Sequence, residues 1–217
     1  MPRIAKKSGT YHHGDLRRVL LDAAIRVVDK EGVSSLSLHA LARKAGVSSG
    51  APYHHFESRE QLLAAIASEG YELLKSSLLE AVDTHVAACG APTARDYLRQ
   101  LGVGYVRFAL KHTGHFRIMF RPELKEHLTE DQRVLVHETF ETLGEAIVRG
   151  QNEGSVPPGD PKVWILLAWS AVHGASTLWI DGPLAEEQLV TNDASLSLIV
   201  AEALVQLFEA KAALDRV

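Results

Sequence analysis

Apolar residues recur at three- and four-residue intervals through most of this chain, and no sustained two-residue alternation competes with that spacing. Leu16, Val19, Leu20, Ala23, Ala24, Val27 and Val28 set the pattern early, and Leu196, Ile199, Val200, Ala203, Leu204, Leu207 and Phe208 repeat it near the end. This period places the apolar side chains along one face of an α-helix, so the chain reads as all-α. Glycine and proline cut the pattern into segments. Helices are expected over residues 15–30, 58–88, 93–112, 129–151 and 163–180, with a last one through 196–208. HFRIMF forms a short piece ended by Pro122.

One stretch departs from long helices. Leu36 to Phe56 reads as two short helices pinched around a turn. Ser37 is placed to cap the first, whose apolar side is Leu36, Leu38, Leu41, Ala42 and Ala45. Gly46 closes it, because glycine enters the left-handed region without a side-chain clash. Val47 pins the turn, Ser48 and Ser49 cap a second helix, and Tyr53, His54, His55 and Phe56 fall on that helix's last turn. Two helices about a short glycine-bearing turn suit insertion into a DNA major groove.

Charge supports a divided chain. The formal net charge of the 217 residues is −4, yet residues 1–60 carry +4 and the remainder −8. A basic head on an acidic body fits a nucleic-acid reader with a separate control region. Arg3, Lys6 and Lys7, flanked by Gly9 and Gly14, form a basic segment. It is read either as a solvated terminus or as an arm reaching phosphates or the minor groove. Cys89 is the single cysteine, which excludes an internal disulfide. No apolar run follows Met1, and a cytoplasmic protein is expected.

LARKAGVSSGAPYHHFESREQL, with the order Leu41-Ala42, Ala45-Gly46-Val47-Ser48, Tyr53, His55-Phe56, Arg59 and Leu62, resembles the TetR family of one-component transcriptional regulators. AWSAVHGASTLWIDG, with Trp169, His173 and Gly174, is similar to a subgroup whose C-terminal domain carries a Trp-His-Gly motif, and HTGHFRIMF fits it too. The resemblance implies three parts: an arm over 1–14, a three-helix head with a helix-turn-helix over 15–57, and a helical ligand-binding and dimerisation body over 58–217. It also implies that His39, Ser49, Gly50, Ala51 and His54 approach base edges. Ser37, Ser48, Tyr53, His55 and Arg59 would hold phosphates. Arg59 stands where lysine is common in the family, and Pro52 where leucine is common. Because Gly50 and Ala51 offer no side-chain hydrogen bonds, DNA shape would carry part of the specificity.

In the body, Phe108, Phe116, Met119, Phe120, Trp164 and Trp169 are candidates for lining a ligand cavity, with core packing as the bland reading. His173 is read as a pocket histidine or a core one. His112, His115, His127, His137 and His173 invite a metal site, but Gly114 between His112 and His115 keeps that pair off one helix face, so none is assigned and no cofactor is expected. GVG at 102–104 lacks the third glycine of a dinucleotide fingerprint, and no nucleophile elbow, P-loop or H-E-x-x-H is present. No enzyme is expected. Residues 163–180 are shorter than a bilayer demands and are interrupted by Ser170, His173, Gly174, Ser176 and Thr177, so no membrane span is assigned. The expectation is a homodimeric repressor, joined through helices near 163–180 and 196–208. It would be released from a palindromic DNA operator by a small, largely apolar effector, with a helical enzyme or a metal-sensing regulator as alternatives.

Overall fold

The computed structural model describes residues 16–214, and Arg3, Lys6 and Lys7 lie outside them. Among the described residues nine α-helices and three short 3-10 turns occur, with no strand. The helices are α1 (Leu16–Glu31), α2 (Leu38–Ala45), α3 (Arg59–Cys89), α4 (Ala94–Lys111), α5 (Thr113–Met119), α6 (Glu130–Glu153), α7 (Pro161–Ile180), α8 (Pro183–Glu186) and α9 (Asp193–Leu214). Two compact units result, divided between Leu62 and Leu63.

In the first unit α1 packs on α2, and a 3-10 turn over Ala51–His54 closes against both. Leu20, Ala24 and Val28 from α1 meet Leu41 and Ala42 of α2, with Phe56 and Leu62 completing a core that excludes solvent. Burying each large side chain in such a core contributes about 1.5–3 kcal/mol. The ends of α2 follow from their residues. The Ser37 hydroxyl accepts the Ala40 N–H at 3.2 Å. Gly46 adopts φ 69°, ψ 27°, and its N–H turns back to α2 carbonyls.

The expected second α-helix of this motif is instead a single 3-10 turn, Ala51–His54. Pro52 is buried and lacks an N–H, while Phe56 must turn inward only four residues later. Those two anchors leave no length for a second α-turn. The Tyr53 N–H therefore bonds to the Gly50 carbonyl at 3.1 Å, and both the His55 and Phe56 N–H groups bond to that of Pro52 at 3.0 Å.

The second unit is organised on α4, which packs against α5, α6, α7 and α9. Thr93 and Asp96 form a reciprocal capping box at its start. The two glycines of the GVG segment face opposite neighbours. A Cβ on Gly102 would sit 3.1 Å from Ala201 on α9, and one on Gly104 would sit 2.7 Å from the Ser77 carbonyl oxygen on α3. The segment is thus a place where helices approach closely. Arg95 and Arg99 both hold Glu202 of α9, at 2.6 and 2.8 Å.

Several boundaries differ from the sequence reading. The α6 and α9 helices run longer than expected, while the 3-10 turn Pro122–His127 and the one-turn α8 were not anticipated. The α7 helix has 20 residues, enough by length and composition to cross a bilayer, so length does not exclude a span. One side of α7 packs on α4, α6 and α9, with Ala168, Val172 and the Ser176 hydroxyl turned inward, while most of its surface stays outside that core.

Candidate nucleic-acid interface and inner cavity

On the first unit, Pro52 and Phe56 anchor the 3-10 turn from beneath, so Tyr53, His54 and His55 project outward between them. Tyr53 is 46% exposed. Its ring meets the His39 ring of α2 edge-on, with centroids 5.9 Å apart. Ser37, Ser48, Ser49 and Gly50 are exposed on the adjoining turns, and Ala51 is half-buried. The structure therefore brings His39 and Tyr53 together on one surface, although they are distant in sequence. Arg43 and Lys44 in the last turn of α2 are exposed as well, Lys44 pairing with Glu31 at 2.8 Å. Their position in the helix-closing turn was the signal that the sequence reading left unused.

Arg59, expected at a phosphate, is bonded to the backbone of the head. Its Nε donates to the Leu36 carbonyl at 3.0 Å and Nη2 to the Val33 carbonyl at 2.8 Å. These carbonyls lie in the connection from α1 to α2, where that of Val33 also accepts the Leu36 N–H of the 3-10 turn at 3.3 Å. A guanidinium fork can reach both at once, which a lysine cannot do with the same geometry. Arg59 is a brace for the head. Ser58 caps α3 by accepting the Gln61 N–H at 3.1 Å, while the Gln61 side chain accepts from Glu57 rather than completing a reciprocal box.

The second unit encloses a cavity of about 60 Å³ among α3, α4, α6, α7 and α9. Leucines 74, 78, 98 and 101 and the rings of Phe120, Phe140 and Trp169 supply most of its wall. Of the expected pocket residues, Phe120 and Trp169 line it, whereas Phe116 and His173 line a neighbouring cleft that shares Phe120. Phe108 and Met119 line neither. Phe108 is fully buried and stacks on His112 at 5.7 Å. Met119 is held by core packing, its carbonyl accepting the Tyr71 hydroxyl at 3.3 Å. Trp164 packs edge-on against Phe208 at 5.6 Å.

The residue that sequence reasoning missed is Tyr105, on the inner side of α4. It is buried, and its hydroxyl is the polar centre of the cavity wall. It accepts the Trp169 indole N–H at 3.2 Å and faces His173 Nδ1 at 2.9 Å. Burial lowers the pKa of His173. A neutral ring accepting the tyrosine proton on Nδ1 satisfies all three groups, and its own proton then resides on Nε2. Burial raises the Tyr105 pKa, and that of Tyr71 to about 12, so both hydroxyls stay protonated. Among the described residues no three His, Cys, Asp or Glu side chains converge as a metal-ligand set.

Comparison with known proteins follows the same two-unit division. Residues 20–66 match the model for bacterial regulatory proteins of the tetR family, and residues 98–203 match that for tetracyclin repressor-like C-terminal domains. The regulator BetI of Rhizobium meliloti is 45% identical over 49 residues, 23% of this chain and 24% of its own length. The nicotine-responsive transcriptional repressor HdnoR of Paenarthrobacter nicotinovorans is 39% identical over 69 residues, 32% of this chain and 36% of its own length. These curated relatives are thus matched over about a quarter to a third of their length. A Rhodococcus sp. RHA1 protein of unknown function superimposes with a TM-score of 0.73 at 31% identity, over 93% of this chain and all of its own.

Proposed function

This chain belongs to the TetR family of bacterial regulatory proteins, and from that membership we propose a homodimeric, effector-responsive repressor that acts in the cytoplasm on a palindromic DNA operator. The observation that carries the reading is the surface made by His39, Tyr53, His54 and His55. A buried proline and a buried phenylalanine hold Tyr53, His54 and His55 outward, and His39 joins them from α2. Tyr53, His55 and the hydroxyls of Ser37 and Ser48 would grip phosphates. His39, Ser49, Gly50, Ala51 and His54 would approach base edges, and Arg3, Lys6 and Lys7 would add contacts from the preceding arm. Residues 15–57 would serve DNA binding, with Arg59 and Leu62 from the start of α3 belonging to the same compact unit, and the rest of 58–217 would serve response and dimerisation.

The dimer reading rests on two apolar stripes left uncovered within one chain. Val163, Leu167, Ser170, Gly174 and Leu178 follow one another along α7, and Ile199, Ala203, Leu207 and Leu214 along α9. A Cβ on Gly174 would meet nothing within 4 Å, so this part of the α7 surface is flat and open to a partner helix. Trp169 and His173 lie one turn apart on the same helix and Gly174 directly follows, with Trp169 toward the cavity and Gly174 toward the stripe. This supports placing the chain in the Trp-His-Gly subgroup. The effector would enter the second unit and, through α3, change the fit of two heads to two half-sites. Such coupling typically amounts to ~1–3 kcal/mol, a 5- to 150-fold change in operator affinity.

Selection of bound fragments from genomic DNA by the purified full chain tests the reading. An inverted repeat with half-sites a helical turn or a multiple apart is expected, and release of that DNA by a small-molecule fraction of cell extract should follow. Recovery of fragments with no shared sequence would overturn the repressor reading.

A further inference from the structure

Phe120 lines two neighbouring spaces at once. Inward is the apolar cavity of about 60 Å³, and outward is a more open cleft of about 350 Å³. The hydrogen-bonded chain crosses the same partition, since Trp169 and Tyr105 line the cavity and His173 lines the cleft. The Phe120 ring lies 4.8 Å from that of His173 and 5.9 Å from that of Trp169, by centroids. It is half-buried at the end of α5, where the backbone leaves the helix two residues before Pro122. Its ring meets those of Tyr71, Phe116, Trp169 and His173, and so stands as the partition between the two spaces.

The cleft is rich in hydrogen-bond donors. With Nδ1 of His173 accepting from Tyr105, the imidazole proton sits on Nε2, and the Thr177 hydroxyl lies one turn further along α7. Arg117 in the last turn of α5 and Arg121, in extended backbone just beyond that helix, both line the cleft. Arg117 Nη2 donates to Asp181 at 3.2 Å and Arg121 Nε to Glu123 at 2.6 Å. The side chains of those acids are 57% and 43% exposed, and ion pairs in such surroundings contribute little, so either guanidinium can trade its partner. A guanidinium fork matches the two oxygens of a carboxylate, and this cleft offers two such forks.

We infer that cavity and cleft are two halves of one site for an amphipathic anion. Its carboxylate is held by Arg117 and Arg121, and its short aliphatic tail enters the inner cavity past Phe120. This rests on the effector reading above and gives that effector its chemical class. The inner cavity alone is well below the roughly 300–1,000 Å³ of ordinary small-molecule pockets, whereas an apolar tail with its head left in the cleft needs only part of the ligand to fit inside.

Calorimetric titration of the full chain with octanoate, octan-1-ol and acetate tests this. Octanoate should bind at least tenfold more tightly than octan-1-ol, which lacks the charge, and far more tightly than acetate, which lacks the tail. Arg117→Gln combined with Arg121→Gln should weaken octanoate about tenfold and leave octan-1-ol unchanged, and Asp181→Asn should tighten octanoate by freeing Arg117. Both changes lie on the surface, and an unaltered melting transition shows that the variants fold. Octan-1-ol binding as tightly as octanoate, or octanoate indifferent to the arginines, overturns the anionic head. Binding of neither probe overturns the two-part site. In each of these cases release of the selected operator by cell extract would keep the effector reading, and absence of any release would refute that reading separately.

Discussion

Replacing Gly104 by alanine tests how closely α3 and α4 cross. An alanine Cβ there would sit 2.7 Å from the Ser77 carbonyl oxygen, 2.9 Å from Leu78 Cα and 3.2 Å from Leu78 N. All three are backbone atoms, so no side chain can rotate away. Ordinary contact begins near 3.4 Å, and the two helices must separate by several tenths of an ångström. Overpacking of this kind costs about 1–3 kcal/mol. Separation also stretches the Ser77 hydroxyl's bond to the Gly104 carbonyl, now 3.0 Å, worth about 0.5–1.5 kcal/mol. Against these stands about 1 kcal/mol gained in helix propensity. The net loss is about 1–3 kcal/mol, or a melting temperature lower by roughly 3–10 °C for a chain of this size. Gly144→Ala in α6 is the control, because its Cβ would meet only Ile165 Cδ1 at 3.7 Å. It should leave the melting temperature unchanged or raise it. Calorimetric scans of both variants decide the matter. A Gly104→Ala protein as stable as the parent, or two glycines that shift alike, would refute the close crossing.

Three further outcomes are expected. Arg59→Ala removes two charge-assisted bonds to backbone carbonyls and should destabilise the head by about 1.5–3 kcal/mol, read by hydrogen exchange of α2 amides. The salt slope of DNA binding should stay as it was, and a slope shallower by about one would return Arg59 to phosphate contact. Leu166→Glu with Leu207→Glu alters two side chains more than half exposed, so the chain should fold normally and sediment as a monomer; a persistent dimer would locate the interface elsewhere. The pH dependence follows from His173 and His112, whose pKa values burial lowers. Between the ordinary histidine value near 6.5 and their lower folded values, the unfolded chain binds more protons. Stability is therefore full at neutral pH and declines as pH falls below about 6.5. His173→Gln, which can still accept the Tyr105 proton but cannot titrate, should shrink that decline in melting scans at pH 7.5 and 5.5.

The head was more legible than the body because its instructions are local. Ser37 capping α2 and Gly46 closing it depend on a few adjacent residues, and both were readable from type and order. Pro52 showed the limit of that reading. Its allowance in a first helical turn was evident, but not that Phe56 would be drawn into the core four residues on and shorten the helix to one 3-10 turn. Arg59 shows another limit: a cation in a motif reads as a phosphate contact, and only the fold shows two carbonyls, 23 and 26 residues earlier, within its reach. In the body, Phe108 and Trp169 had equal claims on a cavity by residue type. Packing gave the first to the core and the second to the cavity.

The spacing of apolar residues determined by itself that this chain is helical, and the punctuation by glycine, proline and capping residues determined roughly where each helix begins and ends. Those are short-range effects, fixed by backbone sterics and by hydrogen bonds spanning three or four residues. What only the tertiary structure decided is which polar groups meet. Tyr105 joins Trp169 and His173 across more than sixty residues, and Phe120 comes to divide an apolar cavity from a cleft bearing two arginines. A side chain declares its chemistry in sequence, but its partner is set by how whole helices pack, which depends on every side chain along the interface at once.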